Sequence, residues 1–208
     1  MTTSSTTTKR REPKERKGKT MEKKFELTDE VATFDGVVLH RIRALKDFAD
    51  AKKGDLGGWV EKEDNLSQEG NCWIDGNARV SCDAKVFGDA WVYGDAQVSG
   101  DAHVYGEAHV SDSALVYGKA QVHDYVRVYD DAHVYSEAHV YGKAQVCGNA
   151  RVYNNACVYG DAQVYDNVRV CGNARVHDYA CVCGDWCGIS FCGVFVFLYH
   201  GYWCDYVI

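Results

Sequence analysis

Residues Gly88 to Val110 read GDAWVYGDAQVSGDAHVYGEAHV, nearly the same six letters four times over. In extended chain successive side chains alternate between faces. Within Ala-x-Val-Tyr, Ala and Val therefore point one way, while x and Tyr point the other. Gly-Asp then makes a corner, because glycine and Asn or Asp accept the left-handed backbone that tight turns need. The same hexad runs from Gly70 to Cys183, nineteen times over 114 residues without an insertion. Val recurs at 80, 86, 92 and every sixth residue up to Val182, with Ile74 before them. Ala stands two residues earlier (Ala78, Ala84, Ala90 and onward), replaced only by Cys72, Val126 and Val168.

A side of six residues is too short to return on itself as a hairpin array. Three sides close a triangle, and eighteen residues later the chain stacks on itself as a parallel strand. That is a β-helix, a solenoid in which each repeat touches mainly its neighbours. An α-helix is excluded, because about 3.6 residues per turn does not divide the period and a recurring glycine would break it. The nonapeptide β-roll is excluded by its period of nine. No proline falls within the hexads, as expected where each backbone N–H serves a ladder.

Charge is uneven along the 208 residues. The first twenty hold seven Lys/Arg and two Glu, a balance of +5, so the rest carries −12 of the net −7. An acidic body argues against a nucleic-acid partner, since phosphate binding needs clustered Lys and Arg. No apolar run is long enough for a membrane-spanning helix, and MTTSSTTTKRREPKERKGKT lacks the apolar centre of a signal peptide. The ten cysteines then read as reduced thiols in a cytoplasmic protein rather than as a disulfide framework.

Four zones follow. Residues 1–20 are Ser/Thr-rich, then basic, and read as a disordered leader. Met21 is the alternative start, with the purine-rich codons available to Lys, Arg, Glu and Gly resembling a translated ribosome-binding site. Residues 21–69 form a small β-rich module, with FDGVVLHRIRAL (Phe34 to Leu45) placing Asp-Gly before an alternating run and Trp59 available for packing. Residues 70–185 are the hexad solenoid. Residues 186–208 are apolar and bear cysteines, and read either as the cap that an open solenoid end needs or as shifted-frame sequence that has replaced further hexads.

The pattern of an aliphatic residue followed four positions later by a small one (Val80 then Ala84, Val86 then Ala90) resembles the hexapeptide-repeat left-handed β-helix. The amino-terminal stretch LHRIRALKDFADAKKGDLGGWVEKEDNLSQEGNCWIDGNARV (Leu39 to Val80) resembles the start of YdcK-like proteins, a bacterial and phage group with this module ahead of hexapeptide coils. Members of the group begin close to MEKKFELTDE, in favour of Met21. The resemblance implies an all-β chain, a single-stranded left-handed parallel β-helix. Nineteen hexads give about six triangular coils, a rod on the order of 30 Å at about 4.8 Å per coil. The group carries a transferase label inherited from the coil, and fold does not settle function.

Stacking by eighteen sorts the outward letters into columns. One face carries an unbroken ring column of Phe87, Tyr105, His123, Tyr141, Tyr159 and His177. Such a ladder stiffens strands, each pair adding about 0.5–1 kcal/mol, or it serves as a flat docking surface for a second copy or another protein. Ice binding by threonine columns is excluded, because no threonine follows Thr33.

The hexapeptide resemblance also implies an enzyme alternative. In that family a histidine acts as general base on an acceptor, acetyl-CoA or another acyl-CoA lies along the coil edge, and a loop and a trimer neighbour complete the site. His103, His109, His133 and His139 are the candidates, each at the variable x position that elsewhere holds Arg, Gln or Lys. The uninterrupted hexads offer no extruded loop to roof a pocket. Metal binding is not expected. His103 and His109 lie on different faces, and His103 and His139 lie two coils apart, about 10 Å, too far to share one zinc. Cys181, Cys183, Cys187, Cys192 and Cys204 match no familiar zinc spacing. The expected function is therefore a non-catalytic, cofactor-free scaffold or interaction protein, self-associating or docking a partner. An acyltransferase with a histidine base is the alternative.

Overall fold

The computed structural model describes residues 22–184, together with the backbone of 190–192 and 195–196. The leader, the start at Met21 and the shifted-frame reading of the tail lie outside the described residues. Among the described residues the architecture is a parallel β-solenoid of about seven stacked coils behind an antiparallel module. Three sheets form its walls. The first holds the two-residue strands that end at Val80, Val98, Val116, Val134 and Val152, then Arg169–Cys171; the second ends at Ile74 and then Val92 through Val182; the third runs from Val86 to Val176.

The hexad dictates this directly. Inward Ala and Val are sealed, for example Ala108, Val110, Ala120 and Val128 at 0% exposure. Each x residue and each residue after Val donates its N–H to the coil above, as in Gln97 N to Ala114 O at 2.9 Å and Ser99 N to Val116 O at 2.9 Å. The corner residue is left-handed in every hexad from Gly70 to Gly172 and Asp178, whether it is glycine or not. Asp124 (φ 62°), Asn154 (φ 60°) and Ser136 (φ 61°) adopt it without glycine's freedom.

Aspartate at a corner does a second job. The corner N–H has no rung in the ladder, and an aspartate eighteen residues earlier supplies one. Gly142 N donates to Asp124 Oδ2 at 3.1 Å, Gly148 N to Asp130 Oδ2 at 3.1 Å and Gly184 N to Asp166 Oδ2 at 3.2 Å. The Asp124 carboxyl sits below the usual carboxylate range, through its bond to His123 first and that N–H after it.

The stack extends past the hexads at both ends, which is why about seven coils stand where nineteen hexads account for about six. β1 (Phe25–Phe34) and β2 (Val37–Ala44) form a hairpin whose turn residues Asp35 and Gly36 both have positive φ, as a two-residue Asp-Gly hairpin requires. β3 (Leu56–Val60) pairs antiparallel with β2 on one side and parallel with Arg79 and Val80 on the other. Gly57 and Gly58 permit that junction. A Cβ on Gly57 would lie 2.6 Å from Ile74 O, and one on Gly58 2.6 Å from Ala78 O. Val60 meets Val80 twenty residues on, whereas later coils repeat every eighteen. The two extra residues fall between Leu66, which still pairs twenty residues on with Val86, and Trp73, which pairs eighteen on with Trp91. The 3-10 turn Glu63–Asn65 precedes them, and there Asn65 Nδ2 donates to the carbonyls of Cys82 and Ala84. At the far end Ser190–Cys192 and Phe195–Val196 continue the first and third sheets.

Lys24 closes the amino-terminal edge. It is 1% exposed, and its ammonium donates to the carbonyl of Cys72 at 2.9 Å and to those of Glu69 and Gly70 at 3.4 Å. It also lies 3.2 Å from Cys72 Sγ and 5.1 Å from the Phe48 ring centroid. Burial pulls the Lys24 amine below its ordinary pKa and pushes the Cys72 thiol up.

Candidate docking faces

The outward columns decide what the rod can do. On the third sheet Phe87, Tyr105, His123, Tyr141, Tyr159 and His177 stack in one run, with centroids 4.7, 4.6, 5.4, 4.8 and 5.1 Å apart and planes within 15° of parallel. The strand spacing of about 4.8 Å imposes this pitch. His123 and His177 are held in the ladder by their own corner carboxylates, Nδ1 to Asp124 at 3.1 Å and to Asp178 at 2.8 Å. The first sheet carries a shorter stack, Tyr117, Tyr135 and Tyr153, at 4.8 and 4.9 Å. Burial raises the phenol pKa in both stacks, as at Tyr105, Tyr135 and Tyr141.

The second sheet is built differently. Its column reads Asp75, Tyr93, Ser111, Tyr129, Cys147, Tyr165, Cys183, so from Tyr93 onward every second rung is small. A tyrosine with no ring above it drapes sideways onto the x residue sixteen positions on. Tyr129 Oη reaches Gln145 Oε1 at 3.5 Å, and Tyr165 Oη lies 3.2 Å from Cys181 Sγ. Between Tyr129 and Tyr165 this leaves a shallow open hollow of about 330 Å³, floored by Cys147 and flanked by Gln145, Gln163, Asp130 and Asp166. The outward letters of the sequence carry this alternation as the signal of a second, gapped wall.

The hydrogen bond to Cys147, and then burial, push the Tyr129 phenol up to about 12. A folded-state value above the unfolded one near 10 means that its contribution to stability is complete below pH about 10 and is lost as pH rises toward 12. An alkaline NMR titration is expected to show Tyr129 ionising near pH 12. In Cys147→Ala it is expected to fall back toward the ordinary phenol range.

The four candidate histidines are not brought together. His103 and His139 share the third sheet, separated by Gln121. His109 lies on the second sheet beside Trp91 and Arg127, and His133 on the first between Leu115 and Arg151. Burial, with the neighbouring arginine second, lowers the pKa of both His109 and His133. His103 packs edge-on to Phe87 and His133 to Tyr117, at 6.1 and 6.4 Å. None of the four lines the hollow of the second sheet.

No cluster of three or more His, Cys, Asp or Glu poised to hold a metal occurs among the described residues, and no described helix is long and apolar enough to cross a membrane. Cys72, Cys82, Cys147, Cys157 and Cys181 are unbridged thiols. Cys171, however, is disulfide-bonded, which departs from the expectation of reduced thiols throughout. Its strand neighbour in the stack is Cys192.

Comparison with known proteins agrees with the fold. Residues 144–160 and 162–178 match the family model of the YdcK β-solenoid repeat. Part of the chain is 43% identical over 60 residues to a protein of Escherichia coli (strain K12) named uncharacterized acetyltransferase YdcK. That match covers 25% of this chain and 18% of the relative, so less than a fifth of the relative's length is represented.

Proposed function

We propose that this YdcK-like β-solenoid repeat protein is a non-catalytic scaffold whose ring-lined walls dock another protein surface, either a partner or a second copy. The observation that carries it is the six-ring ladder from Phe87 to His177, which holds its rings at one pitch over six coils. A flat, pre-ordered aromatic wall loses little side-chain freedom on binding, and aromatic residues are enriched in the centres of interfaces. The histidines support the same reading from the other side. A general base needs a substrate within hydrogen-bond reach in a water-shielded site, whereas these four sit on three open walls.

The relative's name favours one competing reading, an acyl-CoA-dependent acetyltransferase with a histidine base. Thiol release from acetyl-CoA, followed across a panel of amine and hydroxyl acceptors, separates the two. The scaffold reading expects no acceptor-dependent release above the protein-free rate. Turnover that is abolished by a single His→Ala change at 103, 109, 133 or 139 would replace it with the enzyme.

A further inference from the structure

We infer that the second sheet is a self-complementary interface: two copies of this chain pack antiparallel, each seating its tyrosines in the gaps of the other. The inference rests on the interaction reading above, gives it a partner, and assigns that partner to a wall other than the ladder.

The six rungs from Tyr93 to Cys183 alternate ring and small residue, beginning with a ring and ending with a small side chain. A twofold axis perpendicular to the rod, lying across the face between the levels of Tyr129 and Cys147, reverses that order. Tyr93 then faces Cys183 of the second copy, Ser111 faces Tyr165, and Tyr129 faces Cys147, with the reciprocal three pairs on the other side of the axis. Every ring meets a gap. Isologous contacts demand such self-complementarity, and a parallel pairing in register would instead oppose ring to ring.

Pitch agrees with the same arrangement. Tyr129 and Tyr165 stand two coils apart, about 9.6 Å by the strand spacing. With Tyr129 turned up from Gln145 and Cys147, and Tyr165 from Cys181, one ring inserted midway would lie about 4.8 Å from each, which is the spacing of a β-ladder and of the continuous stack on the third sheet, 4.6–5.4 Å. The hollow of about 330 Å³ over Cys147 is where that ring goes. The neighbouring x column is compatible. The reversal sets Arg127 against Gln145, His109 against Gln163 and Trp91 against Cys181, with no like charges opposed. At the two rims Asp112 faces Asp166 and Glu107 faces Asp161. The carboxylates of Asp112 and Asp166 are turned onto the N–H groups of Asp130 and Gly184 in the following coils, at 3.4 and 3.2 Å.

The face measures about 29 Å by 15 Å, on the order of 400 Å² per copy from the strand dimensions, at the low end for specific interfaces. The dimer is therefore reversible and concentration-dependent. Sedimentation velocity from about 1 to 200 µM is expected to show a monomer–dimer equilibrium, the weak regime that so small an interface gives. Cys147→Tyr fills the gap and completes a continuous stack, so it is expected to abolish the dimer while leaving the thermal transition unchanged or higher. The double variant Tyr141→Ser, Tyr159→Ser on the other wall is expected to keep the dimer.

Disulfide trapping fixes the orientation. With Cys147, Cys181 and Cys183 replaced by serine, Ser111→Cys with Tyr165→Cys is expected to give a covalent dimer on oxidation. Within one chain these two positions lie three coils apart, about 14 Å, beyond disulfide reach. Covalent dimer from Ser111→Cys alone would mean parallel packing and overturn the inference. So would a wild-type monomer at the highest concentration, or a dimer that survives Cys147→Tyr. A dimer dissolved by the Tyr141 and Tyr159 changes alone would overturn it too, while leaving the docking function of the ladder standing.

Discussion

Val128→Asp is expected to break the protein at its middle coil. Val128 is 0% exposed and is stacked between Val110 and Val146 in the centre of the second sheet. The interior at that level is Ala and Val, with no donor to meet a carboxylate. An uncompensated charge in such a site costs about 4 kcal/mol or more. In a compact domain that cost would be spread over one cooperative unit. A solenoid couples each coil only to its neighbours, so the lesion separates an upper stack from a lower one. Hydrogen exchange is expected to show protection retained by amides from Trp73 to Val116 and lost by those from Val122 to Val140. Wild-type protection throughout would refute this account of the core.

Gly106→Val is expected to cost about 2–3 kcal/mol, the range for a side chain forced into a sparsely populated backbone region. Gly106 has φ 71°, and a Cβ there would lie 2.7 Å from Asp124 N and 3.0 Å from its Cα. Both are backbone atoms of the next coil, which cannot swing aside. A β-branched residue is in addition a genuine outlier at positive φ. Gly106→Asn is the informative comparison, because Asn154 occupies the equivalent corner at φ 60°. Urea denaturation should place the Asn variant within about 0.5–1 kcal/mol of wild type, glycine's own entropic cost offsetting much of the strain. Equal destabilisation by Val and Asn would mean that steric crowding alone, and not backbone preference, governs the corners.

Much of the fold was legible because the hexad is its own proof. Ala102, Val104, Ala108 and Val110 recur at intervals that only a strand-and-corner period satisfies, and counting by eighteen placed Phe87 above Tyr105. The first coil was harder to see. Its Gly58-Trp59-Val60 has glycine where later hexads have Ala, and two residues inserted between Leu66 and Trp73 break the period before it settles. Lys24 was invisible for a chemical reason. A lysine next to an alternating run reads as solvated, and only the folded chain shows the carbonyls of Glu69, Gly70 and Cys72 gathered around it. The sideways lean of Tyr129 onto Gln145 was equally hidden. It depends on what is missing from the rung above, a relation across sixteen and eighteen residues at once.

Because stacked neighbours lie eighteen residues apart, the chain can change length only in unequal quanta. Losing one hexad keeps the alternation of Ala and Val and every corner, so the interior would scarcely register it. Outside, every later side chain moves to the next wall. Tyr141 and Tyr159 would leave Phe87 and Tyr105 behind, and the ring-and-gap column would be cut at the same point. Losing a whole lap shortens the rod and keeps wall-mates together. The interior is thus counted modulo six and the exterior modulo eighteen. Folding enforces the first count, and only what the walls touch can enforce the second.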